Sequence, residues 1–384
     1  MIDILKLNPV SPLVEEVLGG NYAVKETTET PVGAIVRSFD MHEYALPESV
    51  LAVARAGAGV NNIPCDKYAE QGVVVFNTPG ANANAVNELV LSALLLGSRK
   101  IVPAIEWVKT LKGTENIGKQ VEKGKKAFVG REILGKKLGV IGLGAIGYKV
   151  ANSAVALGMD VLGYDPYLSV NNALHLSRAV EITSDIDELY KTCDYITIHV
   201  PYTKDNDKMI NEQKIAEMKD GAVIINCARG ELVDNQAVLS ALKSGKLGRY
   251  FCDFPSDELI GEDGVVLTPH LGASTPEAED NCAVMAAKEL KDFIENGNIN
   301  NSVNYPRCSA PKTTAHRITI CHLNKANMIA QFSGVLGEKH VNIENFINAS
   351  RGNYAYSILD VNEVTDDIVS SLKSIEGVIK VRLI

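Results

Sequence analysis

The segment VIGLGAIG, residues 140–147, decides the fold of this chain. It ends an apolar run, LGVIGL, and opens a helical pattern, AIGYKVANSAVALG. Gly142, Gly144 and Gly147 form a G-x-G-x-x-G pattern, whose glycines permit a tight turn, close approach of a pyrophosphate and close packing of helix on sheet. The start of the helix adds free N–H groups and the positive end of a dipole. The segment predicts a βαβ unit that binds a dinucleotide, with a purely structural glycine turn as the alternative.

The second strand of this unit indicates which dinucleotide is bound. DVLGYD, residues 160–165, ends in Asp165, eighteen residues after Gly147. A carboxylate at this place accepts hydrogen bonds from the ribose hydroxyls and would repel the 2′-phosphate of NADP. We therefore predict NAD as the cofactor, with Ala145 and Ile146 of the glycine turn among its contacts.

Apolar runs on both sides of this unit extend the same fold. Runs of Val and Ile bounded by turn residues are typical of parallel strands that are buried on both faces. Helical patterns separate most of these runs, and a long helix is predicted from Ala83 to Leu111, kinked near Pro103, before a polar, basic loop at 112–127. The pattern predicts two Rossmann-like parallel-sheet domains, a flavodoxin-like substrate domain and a dinucleotide-binding domain. The predicted strands are 34–38, 50–56, 73–78, 138–143, 160–165, 195–200, 222–228, 249–254 and 265–270.

The last seventy residues follow a different pattern. NYPRCSAPKTT, residues 304–314, contains two prolines and is predicted to be a linker. Beyond it we predict the order βαββαβ of a ferredoxin-like module, with elements at 316–323, 326–339, 341–350, 354–362, 366–375 and 378–384. The predicted division is a discontinuous substrate domain (1–97 and 278–303), a dinucleotide-binding domain (98–277), the linker and a C-terminal module (315–384).

The composition limits the class of protein. The 384 residues carry a net charge of −9, which argues against general binding to nucleic acid or to an anionic membrane. Seven scattered cysteines without a C-x-x-C pair favour buried thiols in a reducing compartment. No apolar run reaches the roughly 18 residues of a membrane span, and the N-terminus has no signal-peptide pattern. We therefore expect a cytoplasmic protein.

Three ionisable residues late in the dinucleotide domain suggest a reaction. Arg229 and His270 follow predicted strands, and Glu258 lies between them; ligands of open parallel sheets bind at the carboxyl ends of strands. A histidine can take the proton of a secondary alcohol as hydride leaves, a nearby carboxylate raises its pKa, and an arginine can hold a carboxylate bidentately. Together they indicate oxidation of a 2-hydroxy acid. Singly, each has an ordinary alternative: a surface ion pair, a solvated carboxylate and a structural histidine.

The sequence around these residues resembles a known family. Three blocks are similar to signature blocks of the D-isomer-specific 2-hydroxyacid dehydrogenases, and two earlier blocks are similar to the substrate domain of that family. The resemblance spans roughly residues 30–305. The blocks are NCARGELVD (226–234), CDFPSDE (252–258), LTPHLGAST (267–275), RAGAGVNNI (55–63) and NTPGANANAVNELV (77–90).

The resemblance implies a role for each residue. Arg229 would bind the substrate and polarise its carbonyl, Glu258 would tune the histidine, and His270 would be the acid and base. Leu259 stands where the family commonly has proline. Asp253 would bond to the nicotinamide side, and further cofactor contacts would come from Thr78, Val200, Pro201, Cys227, Ala228 and Gly272. Taken as a residue type, Cys227 is better explained as a small packing residue than as a reactive thiol.

The resemblance narrows to a branch that oxidises D-3-phosphoglycerate to 3-phosphohydroxypyruvate. It implies that cations and free N–H groups bind the phosphate and carboxylate, from Arg37, Ser38, Arg55, Gly57, Ala58 and, across subunits, Lys125. A solvated basic loop is the simpler explanation for Lys125, and an ion pair is the alternative for Arg55. A dehydrogenase for another D-2-hydroxy acid, of the glyoxylate, hydroxypyruvate or D-lactate type, stays open, as does an NAD-sensing scaffold on the same fold.

The C-terminal module resembles an ACT domain, the regulatory unit of many such enzymes. The resemblance implies L-serine as a possible effector, with His322 and Asn324 on one side of its site and Asn342 on the other. Ala326 and Asn327 replace the usual Pro-Gly turn, in which glycine takes a positive φ that asparagine partly tolerates. A module that only dimerises is the alternative. The resemblance also implies a homodimer or homotetramer, and we predict no metal, because His322 and Cys321 are adjacent on a strand and point to opposite faces.

Overall fold

The structure is a computed structural model that describes all of residues 1–384. The chain forms two compact units. One combines Met1–Asn82 with Pro276–Ile384, and the other is Ala83–Thr275. The first unit therefore joins the N-terminal α/β region to the C-terminal module, while the glycine motif and the three ionisable residues belong to the second.

A parallel five-stranded sheet organises the N-terminal part of the first unit. Its elements are β1 (Ile2–Lys6), α1 (Leu13–Leu18), β2 (Tyr22–Lys25), β3 (Gly33–Val36), β4 (Ala52–Arg55), α2 (Cys65–Glu70) and β5 (Val74–Phe76). The strand order β2-β1-β3-β4-β5 is the flavodoxin-like order. Every residue of β3 and β5 is buried, as expected for strands covered on both faces. The predicted flavodoxin-like sheet is confirmed.

The second unit contains a parallel sheet of seven strands. Its elements are α3 (Ala83–Ser98), α4 (Ile101–Thr110), α5 (Ile117–Gly124), β6 (Lys137–Ile141), α6 (Gly147–Ala156), β7 (Asp160–Tyr164), α7 (Val170–His175), β8 (Val180–Thr183), α8 (Ile186–Thr192), β9 (Tyr195–Ile198), α9 (Glu212–Glu217), β10 (Ala222–Asn226), α10 (Asn235–Ser244), β11 (Leu247–Cys252) and β12 (Val265–Leu267). The strand order β12-β11-β10-β9-β6-β7-β8 contains the Rossmann order, with β6 at the point where the order reverses. The predicted Rossmann-like domain is confirmed.

The region predicted as one kinked helix and a loop differs in the structure. The helix ends at Ser98, and a second helix, α4, begins at Ile101, so the break lies before Pro103. Pro103 sits in the first turn of α4, where its missing N–H has no intrahelical partner to lose. The expected loop contains α5 and a short 3-10 helix, Lys125–Phe128. The kink predicted near Pro103 is therefore a break between Ser98 and Ile101.

A long helix and a four-stranded sheet complete the first unit. The elements are α11 (Pro276–Asn296), β13 (His316–Leu323), α12 (Met328–Glu338), β14 (Ile343–Arg351), β15 (Tyr354–Val361), α13 (Asp366–Lys373) and β16 (Val378–Leu383). The antiparallel order β14-β15-β13-β16 is ferredoxin-like, as predicted. The fully buried Arg317 donates to Asp360 over 2.6 Å and to the carbonyl oxygen of Asn296 over 2.8 Å. This arginine therefore joins the module to the end of α11.

Two predictions from composition can be compared with the structure. Six of the seven cysteines are buried free thiols and Cys65 is partly buried, which confirms buried thiols. None of the helices combines the length and the apolar character that a membrane span requires.

Candidate active site

The turn after β6 has the geometry that the glycine pattern predicts. Gly142 has a φ of +90°, and a Cβ on it would lie 2.8 Å from the carbonyl oxygen of His199. A Cβ on Gly147 would overlap the carbonyl oxygen of Gly142. In contrast, no atom of the chain lies within 4 Å of a Cβ built on Gly144. Gly142 and Gly147 are therefore required by the backbone itself, whereas the space above Gly144 is open to a ligand.

The surroundings of this turn favour an anionic ligand with a ribose. No side chain caps α6, whose N-cap residue is Ile146, so the helix presents its first N–H groups. Asp165 follows β7 and is held beside the turn, because its carboxylate accepts hydrogen bonds from the N–H of Leu143 over 2.9 Å and of Tyr167 over 2.8 Å. A pyrophosphate at the helix start and a ribose at Asp165 both fit this arrangement.

The other expected cofactor residues of this unit follow neighbouring strands. Val200 and Pro201 follow β9, and Ala228 follows β10. Cys227 is buried, and burial raises the pKa of its thiol far above the usual range. A protonated, buried thiol supports the packing role over thiol chemistry.

Arg229 lies at the same edge of the sheet, directly after β10. Its Nη1 donates to the carbonyl oxygen of Ala228 over 2.6 Å, and no carboxylate forms an ion pair with it. The fully buried Asn226 fixes the backbone on both sides: its Nδ2 donates to the carbonyl of Arg229 over 2.8 Å, and its Oδ1 accepts from the N–H of Ala228 over 3.1 Å. The surface ion pair that was the alternative does not form, and most guanidinium donors stay available.

His270 stands on a strained and well-supported loop after β12. Its φ is +59°, an uncommon conformation for a residue other than glycine that is frequent at functional sites. The ring is exposed and packs on Phe254, with ring centroids 4.8 Å apart. The backbone N–H of His270 donates to the carbonyl of Asp253 over 3.0 Å. The histidine is therefore held in place but keeps its ring accessible.

Asp253 has a structural task that the sequence did not indicate. Its buried carboxylate accepts hydrogen bonds from the hydroxyl of Thr268 over 2.5 Å and from the N–H groups of Leu271 over 2.7 Å and Gly272 over 2.8 Å. These donors flank His270 on both sides. Asp253 thus positions the histidine loop, and its contact with a nicotinamide remains a prediction.

The structure does not join Glu258 to His270. Glu258 is exposed, and it makes no hydrogen bond or ion pair with the histidine. The next residue, Leu259, is fully buried in the core of the unit and anchors the loop where the family commonly has proline. Asn226, Phe254 and Thr268 support the site without having been predicted. Phe254 and Thr268 act through contacts between segments that are distant in sequence, whereas Asn226 acts on its own neighbours, Ala228 and Arg229.

The expected substrate residues of the first unit also lie at strand ends. Arg37 follows β3 and forms an ion pair with Glu279 over 2.6 Å, and Ser38 is exposed beside it. Arg55 ends β4, donates from Nε to Asn62 over 3.2 Å, and has its fork over Gly57, where a Cβ would overlap it.

The loop that follows β5 supports this cluster. Asn77 donates from Nδ2 to the carbonyl of Ala58 over 2.6 Å, and the N–H of Thr78 donates to the carbonyl of Gly57 over 3.1 Å. These two hydrogen bonds therefore hold the loop at Gly57 and Ala58 in place. In the other unit, Lys125 is exposed and pairs with Glu122 over 2.5 Å, which matches the simpler explanation of a solvated basic segment.

The residues expected to bind an effector have partners inside the module. The buried His322 contacts the carbonyl of Leu323 over 2.8 Å and Asn348 over 3.0 Å through its two ring nitrogens. Asn324 donates to the carbonyl of Gly352 over 3.1 Å, and Asn342 donates to Glu344 over 2.7 Å; both asparagines are exposed.

Comparison with known proteins identifies the family. Residues 91–272 match the model of the D-isomer specific 2-hydroxyacid dehydrogenase NAD binding domain. A D-3-phosphoglycerate dehydrogenase from Haemophilus influenzae is 34% identical over 350 residues, which are 87% of this chain and 81% of that protein. This chain belongs to the D-isomer specific 2-hydroxyacid dehydrogenase family.

Other relatives of this dehydrogenase differ in length. A D-3-phosphoglycerate dehydrogenase from Methanocaldococcus jannaschii is 39% identical over 271 residues, 69% of this chain but only 49% of that protein. The chain therefore matches about half the length of that relative. Among solved structures, a 3-phosphoglycerate dehydrogenase from Entamoeba histolytica with NAD⁺ bound shares 26% identity and a TM-score of 0.60, covering 79% of this chain and 98% of that one.

The family confirms the predicted cofactor. NAD fits the residues present in this dehydrogenase: the open space at Gly144, the uncapped start of α6 and the fixed carboxylate of Asp165 match its pyrophosphate and adenosine ribose. The edge of the sheet that carries these features also carries Arg229 and His270, so cofactor and reacting groups share one edge of the unit.

Proposed function

We propose that this dehydrogenase oxidises D-3-phosphoglycerate to 3-phosphohydroxypyruvate with NAD. One observation carries the proposal: an arginine without a carboxylate partner and an exposed, rigidly supported histidine stand at the carboxyl edge of a dinucleotide-binding sheet. Named D-3-phosphoglycerate dehydrogenases among the relatives support the choice of substrate.

The residues divide the reaction between them. Arg229 holds the substrate carboxylate with its guanidinium and polarises the C2 oxygen. His270 accepts the proton of the C2 hydroxyl as the C2–H bond breaks. NAD, when bound, accepts the hydride. Asp253 holds the His270 loop in position by its three hydrogen bonds. Glu258 stabilises the charged imidazolium once movement of its loop brings the carboxylate to His270.

The phosphate of the substrate requires cations outside this set. We assign it to Arg37 and Arg55, with Ser38 and the backbone at Gly57 and Ala58 as further ligands. Glu279 pairs with Arg37 in the structure, so binding of a phosphate at Arg37 must compete with that carboxylate or share the guanidinium with it. A substrate without a phosphate does not compete with Glu279 for Arg37.

A substrate panel tests the proposal. NADH formation is measured with D-3-phosphoglycerate, D-glycerate and D-lactate, for the wild-type chain and for Arg37→Ala. We expect D-3-phosphoglycerate to be the best substrate and Arg37→Ala to lower its kcat/KM by at least about 100-fold while changing D-lactate turnover little. Oxidation of D-lactate or D-glycerate without turnover of D-3-phosphoglycerate would refute it.

We further propose that L-serine regulates this activity through the C-terminal module. Asn327 has a φ of +69°, so asparagine takes the left-handed turn that a Pro-Gly pair commonly provides. Asn324 and Asn342 are exposed, and their side-chain amides donate to the carbonyl of Gly352 and to Glu344. Millimolar L-serine should lower the rate of NADH formation in the wild type and have a weaker effect in Asn324→Ala; an unchanged wild-type rate removes this proposal alone.

We propose a homo-oligomer from the exposed segment that contains α4 and α5. No residue of α4 or α5 is buried, and Ile101, Val102, Ile105 and Val108 are 40% to 53% exposed on α4. Residues 99–132 contain nine basic and four acidic residues in a chain of net charge −9, so a second copy offers complementary charge. Sedimentation should show a dimer or tetramer that Ile105→Glu dissociates; a wild-type monomer contradicts it.

A further inference from the structure

The second unit contains a cationic cavity on the edge of its sheet opposite the candidate active site. This rear pocket, of about 250 Å³, is lined by Lys100, Arg131, Gly221, Gly248 and Arg249, with the end of α3 beside them. Gly221 precedes β10, and Gly248 lies at the start of β11. Arg229 follows the other end of β10, so a strand of five residues, about 16 Å long, separates the two sites.

Charge is unbalanced in the rear pocket. Three cations line it, no carboxylate does, and none of the three forms an ion pair. Asp220, next to Gly221, accepts from Lys246 over 2.9 Å, whereas the exposed Glu132, next to Arg131, forms no ion pair and does not line the pocket. The pocket therefore concentrates positive charge in a chain whose net charge is −9.

Arg249 is the residue that the fold itself does not explain. Among the partly buried arginines, it alone has a guanidinium that makes no hydrogen bond or ion pair within the chain. Burial also lowers the pKa of its guanidinium, a sign that the charge is partly withdrawn from water without compensation. Arg249 is half-buried, and a charge withdrawn from water is ordinarily paired, so its guanidinium can take an anion from outside the chain.

Arg131 is oriented toward the same cavity by fixed contacts. Its Nε donates to the hydroxyl of Tyr195 over 3.0 Å, its Nη2 donates to the carbonyl of Gly221 over 3.0 Å, and the guanidinium lies 4.7 Å from the centroid of the Tyr195 ring. These two hydrogen bonds use Nε and Nη2 and leave Nη1 without one. The arginine is thus preorganised, which reduces the entropy lost when it binds an anion.

Close backbone packing brings the walls of the rear pocket together. A Cβ on Gly130 would overlap the carbonyl oxygen of Ser98, and a Cβ on Gly248 would lie 2.7 Å from the carbonyl oxygen of Gly221. These glycines allow the end of α3, the segment at Arg131 and the starts of two strands to meet. The three cations therefore border one open pocket on the surface of the unit.

We propose that the rear pocket is a binding site for inorganic phosphate or a small phosphomonoester. Phosphate carries about two negative charges and three or more acceptor oxygens at pH 7, which matches two guanidinium groups and one ammonium better than a single carboxylate does. The volume admits the phosphate and a short organic group. The proposal is independent of the substrate assigned above, because the pocket is at the other end of the strands.

Titration with inorganic phosphate tests the proposal. Arg37→Ala serves as the parent, so that phosphate binding at the proposed substrate site is weakened and is the same in every variant compared. Calorimetric binding to this full-length parent is compared with the double variants that add Arg249→Gln or Arg178→Gln. Arg178 is an exposed arginine of the same unit without an ion pair, and is the matched control. We expect Arg249→Gln to weaken binding at least tenfold and Arg178→Gln to leave it unchanged.

Two further measurements keep the outcome decisive. If Arg249→Gln does not fold, Lys100→Gln replaces it, because Lys100 is exposed, and about a threefold loss is expected. Anomalous diffraction from tungstate soaked into crystals should place the anion between Arg131 and Arg249. Equal phosphate affinity in the Arg249→Gln and Arg178→Gln variants overturns the proposal. If Arg249→Gln dissociates an oligomer without any loss of phosphate binding, the pocket is a protein contact and the proposal is also overturned.

Discussion

Arg229 offers the sharpest test at the scale of single residues. Arg229→Lys keeps the positive charge but removes the planar fork that holds a carboxylate bidentately. We predict that kcat/KM for D-3-phosphoglycerate falls by at least about 100-fold, while the affinity for NADH, measured by fluorescence titration, changes less than about twofold. Arg178→Lys is the control for a general effect of the replacement. Near-normal turnover in Arg229→Lys would return Arg229 to a surface role.

Asp253 tests whether the histidine loop needs its buried carboxylate. Asp253→Asn directs an amide N–H₂ toward one of the N–H donors of Leu271 and Gly272, which leaves a buried donor without an acceptor at a cost of about 1–3 kcal/mol. We predict a fall in kcat of at least about tenfold, with little change in NADH affinity, because the His270 loop shifts while Gly142–Gly147 does not. A variant with unchanged kcat and an unchanged pH profile would show that the loop holds without Asp253.

At the scale of elements, the strand-turn-helix β6–α6 makes a matched pair of predictions. A side chain at Gly144 meets no atom of the chain, so Gly144→Val should unfold at the wild-type temperature but bind NADH at least about tenfold more weakly. A Cβ at Gly147 overlaps the carbonyl oxygen of Gly142, so Gly147→Ala should lower the unfolding temperature itself. Thermal unfolding without cofactor and NADH titration separate the two effects; equal behaviour of both variants would contradict the assigned roles.

Helix α11 shows how an element can hold an unfavourable group. Glu289 is buried on this helix, and only one carboxylate oxygen has a partner, the side-chain amide of Asn301. Burial raises the pKa of Glu289 from 4.5 to about 7. Between pH 4.5 and pH 7 the folded state binds more protons than the unfolded state. The free energy of unfolding is therefore highest below about pH 4.5, as far as Glu289 is concerned, and falls as the pH rises toward 7.

At the scale of the whole molecule, Glu289→Gln should therefore change how stability depends on pH. Glutamine keeps an acceptor for Asn301 and removes the charge. We predict that Glu289→Gln is more stable than the wild type by about 2 kcal/mol at pH 8, and that the difference disappears near pH 4.5. Calorimetry of both proteins at four pH values measures it. A difference that is constant with pH would show that Glu289 titrates normally.

The sequence by itself determined the folds of the sheets and the edge at which the chemistry lies. Apolar runs of the right length predict parallel strands, and VIGLGAIG places a dinucleotide at one turn, because only glycine fits two of its positions and the third faces open space. Arg229 and His270 could be placed at the same edge because parallel strands share a carboxyl end. These features depend on local spacing, which is printed in the sequence.

Only the tertiary structure decided which side chains touch. In the structure Asp253 binds the His270 loop, Arg37 pairs with Glu279, and Glu258 does not contact His270. Lys100, Arg131 and Arg249 line one pocket. Those residues are far apart in the chain, and their contacts depend on the register of strands and on close backbone packing. The physical reason is that pairing and desolvation depend on distances in space, which spacing along the sequence does not fix.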